Sequence, residues 1–518
     1  MRLSCLLLCV LPALGQSAPP HFEPPTDTLY TPFSFEQGKA LASAPGKEIV
    51  FSDYAGMNEM LKASYEAYDP EMDCEDCGKK RFAHSVDIEL TEPLFENPVK
   101  TEDGYQYVTR VRSVGALTLG LTVKADIDAP EFELYVIAPR VGRSFGPFYK
   151  EDMLGSEGRC LPLLQGEEII LVLLTNARNF TELRLLRYSH GFEQLFAVSK
   201  LESCHIDLAC AEDGALRILG SGTGLLIFAN SVYCSSALVN VPATQTNEPY
   251  LLTAAHCVST DSGVTAAEII WDFQLGYCGS VDAPDLDLLP RSFGDKLLET
   301  SAIYDMTLMS LDSVESGPNG RAYLGWNATP RTIGDDLVTI GHPDQAPTKI
   351  SFGSVKKLNL DVFGGTYIKA VLAKDGGVTE GGSSGSPVVL HSADYSLIGI
   401  HSGALQHTCG RENNIQFVGA LSDFFPQVST YLNKTDDPGN GGGGSTGCAT
   451  KTALRGQDPE LLARAYEFRD WLNQSSAGRL FVDLYYKVLS PVAKPIVEES
   501  EIARKAYVHS LSSVLSVK

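Results

Sequence analysis

The stretch Glu380-Gly381-Gly382-Ser383-Ser384-Gly385-Ser386-Pro387 decides how this chain reads. A serine between glycines on a tight turn can present its hydroxyl to a carbonyl carbon, with neighbouring backbone N–H groups facing the oxyanion that develops. Serine is a poor nucleophile until a histidine removes its proton, and that histidine needs a carboxylate to hold its tautomer and orientation. Thr253-Ala254-Ala255-His256-Cys257 and Asp305 lie upstream and supply both. Each piece alone has a plainer reading. Gly-Ser-Ser-Gly is common in flexible loops, His256 after two alanines suits a half-buried polar residue, and Asp305 suits the start of a strand whose alternating residues face a core. Their joint occurrence in one β-rich segment predicts peptide-bond hydrolysis through an acyl-enzyme.

Around these residues, 201–434 is strand-rich, punctuated by Gly and Asp, with one terminal helix expected from Ala420 to Leu432. Residues 435–450 are a Gly-rich linker with four consecutive glycines, Gly441 to Gly444. From 451 to 518 the pattern turns helical, opening with an Asp458-Pro459-Glu460 cap ahead of Leu461, Ala465 and Phe468. Upstream, 86–200 carries short alternating runs such as Val108–Val111, Leu117–Val123 and Phe132–Val136 and a more continuous one, Glu168–Leu174, which predict a β-sandwich. Residues 16–85 read as irregular, with a local Cys74–Cys77 disulfide expected.

Residues 1–15 read as an export signal: Arg2, the apolar run Leu3 to Leu14, and the small-x-small site Ala13-Leu14-Gly15. That run is shorter than the roughly 20 residues a spanning helix needs, and no later segment serves as a transmembrane segment. A secreted, extracellular protein is expected. Asn179, Asn327, Asn433 and Asn473 are N-glycosylation sequons. At 518 residues, two to four domains are expected. The net charge of −23 argues against nucleic acid or an anionic membrane as partner. There are 12 cysteines, and Cys204, Cys210, Cys234, Cys257, Cys278 and Cys409 cluster with the candidate triad; six allow about 15 pairings, and spacing leaves the choice open.

The order His256, Asp305, Ser384 matches chymotrypsin-type enzymes and differs from subtilisins and α/β-hydrolases. Residues 201–434 resemble the secreted lysyl endopeptidase group of bacterial serine proteases. The resemblance rests on Cys204-His-Ile-Asp-Leu-Ala-Cys210, on Cys234-Ser-Ser-Ala-Leu-Val-Asn240 ahead of Tyr250–Cys257, on Gly341-His342-Pro343, on Gly377–Pro387 and on Ile398-Gly-Ile-His401-Ser-Gly403. It implies a mainly β fold: a chymotrypsin-like double six-stranded β-barrel, preceded by a β-sandwich-like pro-domain and followed by a small helical domain. It further implies disulfides Cys204–Cys409, Cys210–Cys278 and Cys234–Cys257, an oxyanion hole from the N–H groups of Gly382 and Ser384, no cofactor and no metal, and protein or peptide substrates. Tyr188–Phe192 resembles, more loosely, the pro-regions of such enzymes, and the tail from Cys448 resembles a helical module of bacterial exported proteins.

By the same resemblance, Thr379, His401, Asn413 and Phe363 line the specificity pocket. Asn413 stands where the family has an aspartate for the substrate ammonium, and Phe363 near its tryptophan, so cleavage after lysine competes with cleavage after an acidic residue. Lys200, just ahead of Leu201-Glu-Ser-Cys204, fits maturation of a zymogen by a lysine-directed cut. Ser383 replaces the aspartate that, in digestive enzymes, pairs with a freed N-terminus, so activation here is expected not to use that ion pair. The alternatives are a protease-like binding protein without activity and, less well supported, an esterase, which the triad order disfavours. A metalloprotease is disfavoured by the lack of H-E-x-x-H.

Overall fold

The computed structural model describes residues 17–26, 29–66, 81–155, 157–193, 195, 203–241, 248–362, 364–392, 394–405, 408–411 and 414–433. The expected export signal, the Cys74–Cys77 loop, Lys200, Phe363, Asn413, the linker 435–450 and the helical tail 451–518 lie outside them. Met1–Asn240 with Asn247–Phe424 forms one compact unit, and Val241–Thr246 with Phe425–Lys518 a second. Of the second unit, the described part is Val241, the later turns of the helix Leu421–Leu432 and the residue after it. Everything below concerns the first.

Six strands, Thr223–Phe228, Val232–Val239, Tyr250–Thr253, Met306–Leu311, Arg291–Ser301 and Ala267–Ile270, hydrogen-bond in that order into a closed barrel. Val232–Val239, Tyr250–Thr253 and Met306–Leu311 are buried along their whole length, polar residues included. A second ring runs through Asp336–Gly341, Lys349–Val362, Gly365–Leu372, Ile415–Ala420, Leu397–Leu405 and Pro387–Leu390, whose last strand pairs back onto the first. Bulges at Val355/Lys357 and Lys357/Leu360 help the long strand curl, as bulges do by raising the local twist. Leu337, Val355, Ile368, Val388, Ile398 and Val418 fill this ring. The expected double six-stranded barrel is therefore present.

Ahead of the barrels stands a two-sheet sandwich. One sheet orders Lys47–Phe51, Tyr105–Ser113, Glu168–Thr175, Phe132–Ala138 and Arg143–Phe148; the other orders Arg159–Cys160, Thr118–Ala125, Leu183–Gly191 and Ala83–Asp87. Val111, Leu121, Val136, Leu171 and Phe180 pack between them. The reading of 16–85 as irregular is corrected here. Ser34 and Gln37 form a reciprocal capping box that opens the helix Phe35–Ala42, and a second helix spans Asn58–Glu66. Lys47–Phe51 runs parallel to Tyr105–Ser113 and sends Ile49 and Phe51 toward the core, where the Phe51 ring stacks on Tyr188 at 4.0 Å. A five-residue strand and helices of two turns leave too few repeats for a periodic signal. The sandwich thus begins well before residue 86.

Two further contacts tie this N-terminal region to the barrels. Ser17–Ala18 pairs with Asn327 and Trp326, and His21–Glu23 pairs with Tyr323 to Arg321. This arm follows the backbone closely: a Cβ on Gly325 would lie 2.5 Å from the Pro20 nitrogen. The sandwich itself shares a core with the first barrel, where Phe82, Ala83 and Leu163 pack with Leu225, Ile270 and Leu286. Ion pairs ring that core. Arg140 meets Asp285 and, at 2.9 Å, Asp287; Arg143 meets Glu315 at 3.2 Å; Arg159 lies 3.8 Å from Asp312. Burial pushes the Glu268, Asp287, Asp312 and Glu315 carboxyls above their ordinary range and lowers Arg143 to about 10. Leu163 is 1% exposed in the shared core. Leu163→Ala should destabilise the chain by about 2–5 kcal/mol. A denaturant midpoint matching the parent's would show that this core contributes little.

Candidate active site

Strand Val232–Val239 of the first barrel organises both halves of the site. Cys234 is bonded to Cys257, which anchors the turn that carries His256. The next residue, Ser235, holds the loop that carries Ser384: its N–H donates to Ser384 O at 2.7 Å and its Oγ donates to Gly382 O at 2.9 Å. Gly385 N donates to His401 O and Asp344 N to Gly381 O, fixing the rest of the turn. With these carbonyls engaged, the N–H groups of Gly382 and Ser384 donate to no acceptor among the described residues. The turn requires glycine. Gly382 has φ +96°, and a Cβ there would sit 2.4 Å from the Tyr233 ring and 2.7 Å from His342 O.

His256 and Asp305 meet directly. Nδ1 of His256 lies 2.7 Å from Asp305 Oδ2, so Nδ1–H donates and Nε2 is left free to accept a proton. Asp305 Oδ1 accepts the His256 backbone N–H at 2.9 Å, and the Ser402 hydroxyl donates to Oδ2. Both carboxylate oxygens are therefore used, and Asp305 is 6% exposed. Its backbone sits at φ +48°, a left-handed conformation costly for a non-glycine residue and held here by the surrounding bonds. The Ser384 hydroxyl donates to Ser402 O at 3.4 Å and not to His256. Ser402 thus touches Asp305 through its side chain and Ser384 through its carbonyl. A Ser384–His256 bond is one that commonly tightens only when substrate arrives.

Of the expected pocket residues, Thr379 and His401 are buried at 2% and 1% exposure, on the Ser384 loop and on the strand Leu397–Leu405. Thr379 Oγ1 and His401 Nδ1 are buried without hydrogen-bond partners. Burial, reinforced by the nearby His256 charge, lowers the His401 pKa to about 4. Glu380, beside Thr379, points to His205 instead, with Nε2 2.8 Å from Oε2. Glu380 also binds Ser383 twice: its N–H donates to Ser383 Oγ at 3.2 Å and its carbonyl accepts Ser383 N–H at 3.0 Å. Ser383 thus closes the turn locally, and the Cys204–Cys210 segment reaches the same turn through His205.

Beside His256 opens a cavity of about 530 Å³ lined by His256, Ala302, Asp305, Tyr367, Ser402 and Phe417, among others. The remaining disulfides are Cys204–Cys409 and Cys210–Cys278, so all three pairs coincide with those the resemblance implies. Cys234, His256 and Cys257 lie close enough to suggest a metal site, but both sulfurs are in a disulfide and offer no thiolate. The sequence does not mark Ser235, Ser402 or His205 as partners of the site; all three lie inside the motifs that carry the resemblance, yet their partners are set by tertiary packing.

Residues 198–418 match the family model described as the lysyl endopeptidase C-terminal domain. That match supports a serine protease in general terms. Among solved structures, the HtrA-type protease AlgW with a tripeptide is 17% identical, covering 41% of this chain and 62% of that one, at a TM-score of 0.30. The Rv3671c protease from M. tuberculosis, active form, is 13% identical over 44% of this chain and 89% of that one, at 0.30. The MamO protease domain from Magnetospirillum magneticum is 14% identical over 40% and 95%, at 0.27. The chain thus spans about three-fifths of the HtrA-type protease it matches. At these scores the strand pairing above, and not the likeness, carries the fold.

Because His401 is held neutral, its unfolded form takes up a proton first as pH falls. Its contribution to stability should therefore decline from about pH 6.5, the unperturbed value, down to about 4. Imidazole titration by NMR in the Ser384→Ala protein should find His401 neutral until about pH 4. A midpoint near the unperturbed value would contradict the burial argument.

Proposed function

We propose that the chain is an exported serine endopeptidase in which Ser384 attacks the scissile carbonyl. The observation that carries this reading is the bond between His256 Nδ1 and Asp305 Oδ2, next to a glycine-turned serine whose own N–H, like that of Gly382, has no acceptor among the described residues. His256 Nε2 takes the Ser384 proton as the carbon–oxygen bond forms, then returns it to the leaving amine. Asp305 holds the ring and stabilises its charged form. The N–H groups of Gly382 and Ser384 receive the oxyanion. Water, activated by the same imidazole, cleaves the acyl-enzyme. A zymogen form, with a cut near Lys200 by a lysine-directed activity, belongs to the same reading.

Lysine preference is supported by the family match over 198–418. A second reading, cleavage after an acidic or other non-basic residue, is favoured by a different observation. Among the described residues the expected pocket offers the unpartnered Thr379 Oγ1 and His401 Nδ1, while Glu380, the acid beside it, is engaged with His205. The cavity beside His256 is suited to a side chain of the substrate on the acyl side of the cut.

Ser384→Ala should abolish labelling by a fluorophosphonate and lower kcat on the order of a million-fold. Asp305→Asn should lower kcat roughly ten-thousand-fold with labelling slowed in parallel. Labelling that survives Ser384→Ala would move the nucleophile elsewhere. Hydrolysis of a peptide panel varying the residue before the cut decides between lysine and acid. Ala302→Trp, which fills the cavity, should raise KM for peptides of four or more residues roughly tenfold while leaving labelling by the small phosphonate nearly unchanged. Equal loss in both would place the cavity outside the substrate path.

A further inference from the structure

We propose that residues 17–193 are a permanent subunit of this protein, remaining bound to the double barrel after the connection between 193 and 203 is cut. The expectation for a pro-region is departure. The interface argues against it on three grounds.

The first is the shared core. Phe82 and Leu163 on one side and Leu225, Ile270 and Leu286 on the other are each at most 1% exposed. Neither part has a complete core at this face without the other, and separation would put contiguous apolar surface into water.

The second is the polar lining of the same contact. Glu268, in the first barrel, accepts the Leu163 N–H at 3.0 Å, and Arg291, which pairs with Glu268, donates to Leu163 O at 2.7 Å. Asp287 accepts the Gln165 N–H at 3.0 Å and meets Arg140. Asn230 donates to the carbonyls of Leu121 and Leu161. Glu268 and Asp287 are 3% and 0% exposed. Their hydrogen bonding is completed by the sandwich backbone, and a buried carboxylate stripped of donors is strongly disfavoured.

The third is the arm. Ser17–Ala18 and His21–Glu23 extend the barrel region by strand addition at Arg321–Asn327, and Asn240 Nδ2 donates to Pro19 O at 2.7 Å. Arm and sandwich belong to one chain, so either contact, while held, keeps the other at high effective concentration. None of these contacts enters the cavity beside His256, whose lining runs from Ala255 to Phe417. Retention therefore leaves that opening clear of the described N-terminal residues. Every disulfide among the described residues lies within 204–409, so none of these crosses between the two parts.

The test uses the full chain carrying Ser384→Ala, which prevents self-cleavage, with a recognition sequence for a site-specific viral protease placed between residues 196 and 202. After complete cutting, confirmed on a denaturing gel, the sample is run on size exclusion with light scattering, at micromolar concentration and again after hundred-fold dilution. One peak with the mass of the uncut protein is expected in both runs, and in 1 M salt, because buried pairs are little screened. Two separating peaks would overturn the proposal. The readout is association, so it stands or falls apart from the endopeptidase reading, which the Ser384 labelling experiment decides.

Discussion

The hydrogen bonds of Ser235 are the constraint on which the site depends. A catalytic turn needs two backbone N–H groups aimed outward, and a short glycine-rich loop has no intrinsic reason to hold them so. Ser235 solves this from the opposite barrel by engaging the carbonyls of Gly382 and Ser384 from behind. The Gly382 N–H shares its planar peptide with the Gly381 carbonyl, which accepts from Asp344 N on the other side, so that N–H is turned the opposite way. Since Cys234 is bonded to Cys257 beside His256, two consecutive residues of one strand fix the His256 turn and the Ser384 loop relative to each other. The cleft is in this sense a property of Val232–Val239, and the barrels supply the rigidity that lets one strand do so.

Ser402 completes the arrangement from the second barrel. Its hydroxyl donates to Asp305 and its carbonyl accepts from the Ser384 hydroxyl, so Asp305 and Ser384 are linked through one residue. Asp305 keeps an unfavourable backbone conformation because His256 N, His256 Nδ1 and Ser402 Oγ all converge on its carboxylate. Strain of this kind persists where the surroundings over-determine it.

Much of this was legible in the sequence, and the exceptions have physical reasons. His256, Asp305 and Ser384 are distinctive through their joint occurrence and order and not through any one piece, and the long alternating runs around Val108, Leu117 and Phe132 became strands as their period requires. Six cysteines alone left their pairing open, and only the resemblance to a family selected one. Ser235, Ser402 and His205 were invisible as partners because a hydrogen bond between residues 97 to 175 positions apart leaves no local signature. The segment before residue 86 failed for a different cause: Lys47–Phe51 gains its strand identity from Tyr105–Ser113, and Ser17–Ala18 from Trp326–Asn327, so neither reads as a strand alone.

The arm also bears on how this chain avoids sticking to copies of itself. A closed ring of strands exposes no unpaired edge, but Arg321–Tyr323 and Trp326–Asn327 lie outside both rings and would otherwise present bare N–H and C=O groups. Such an edge is a ready template for intermolecular pairing. Residues 17–23 occupy it, so losing them trades a covered edge for an aggregation-prone one, and this stretch doubles as a guard for residues 321–327.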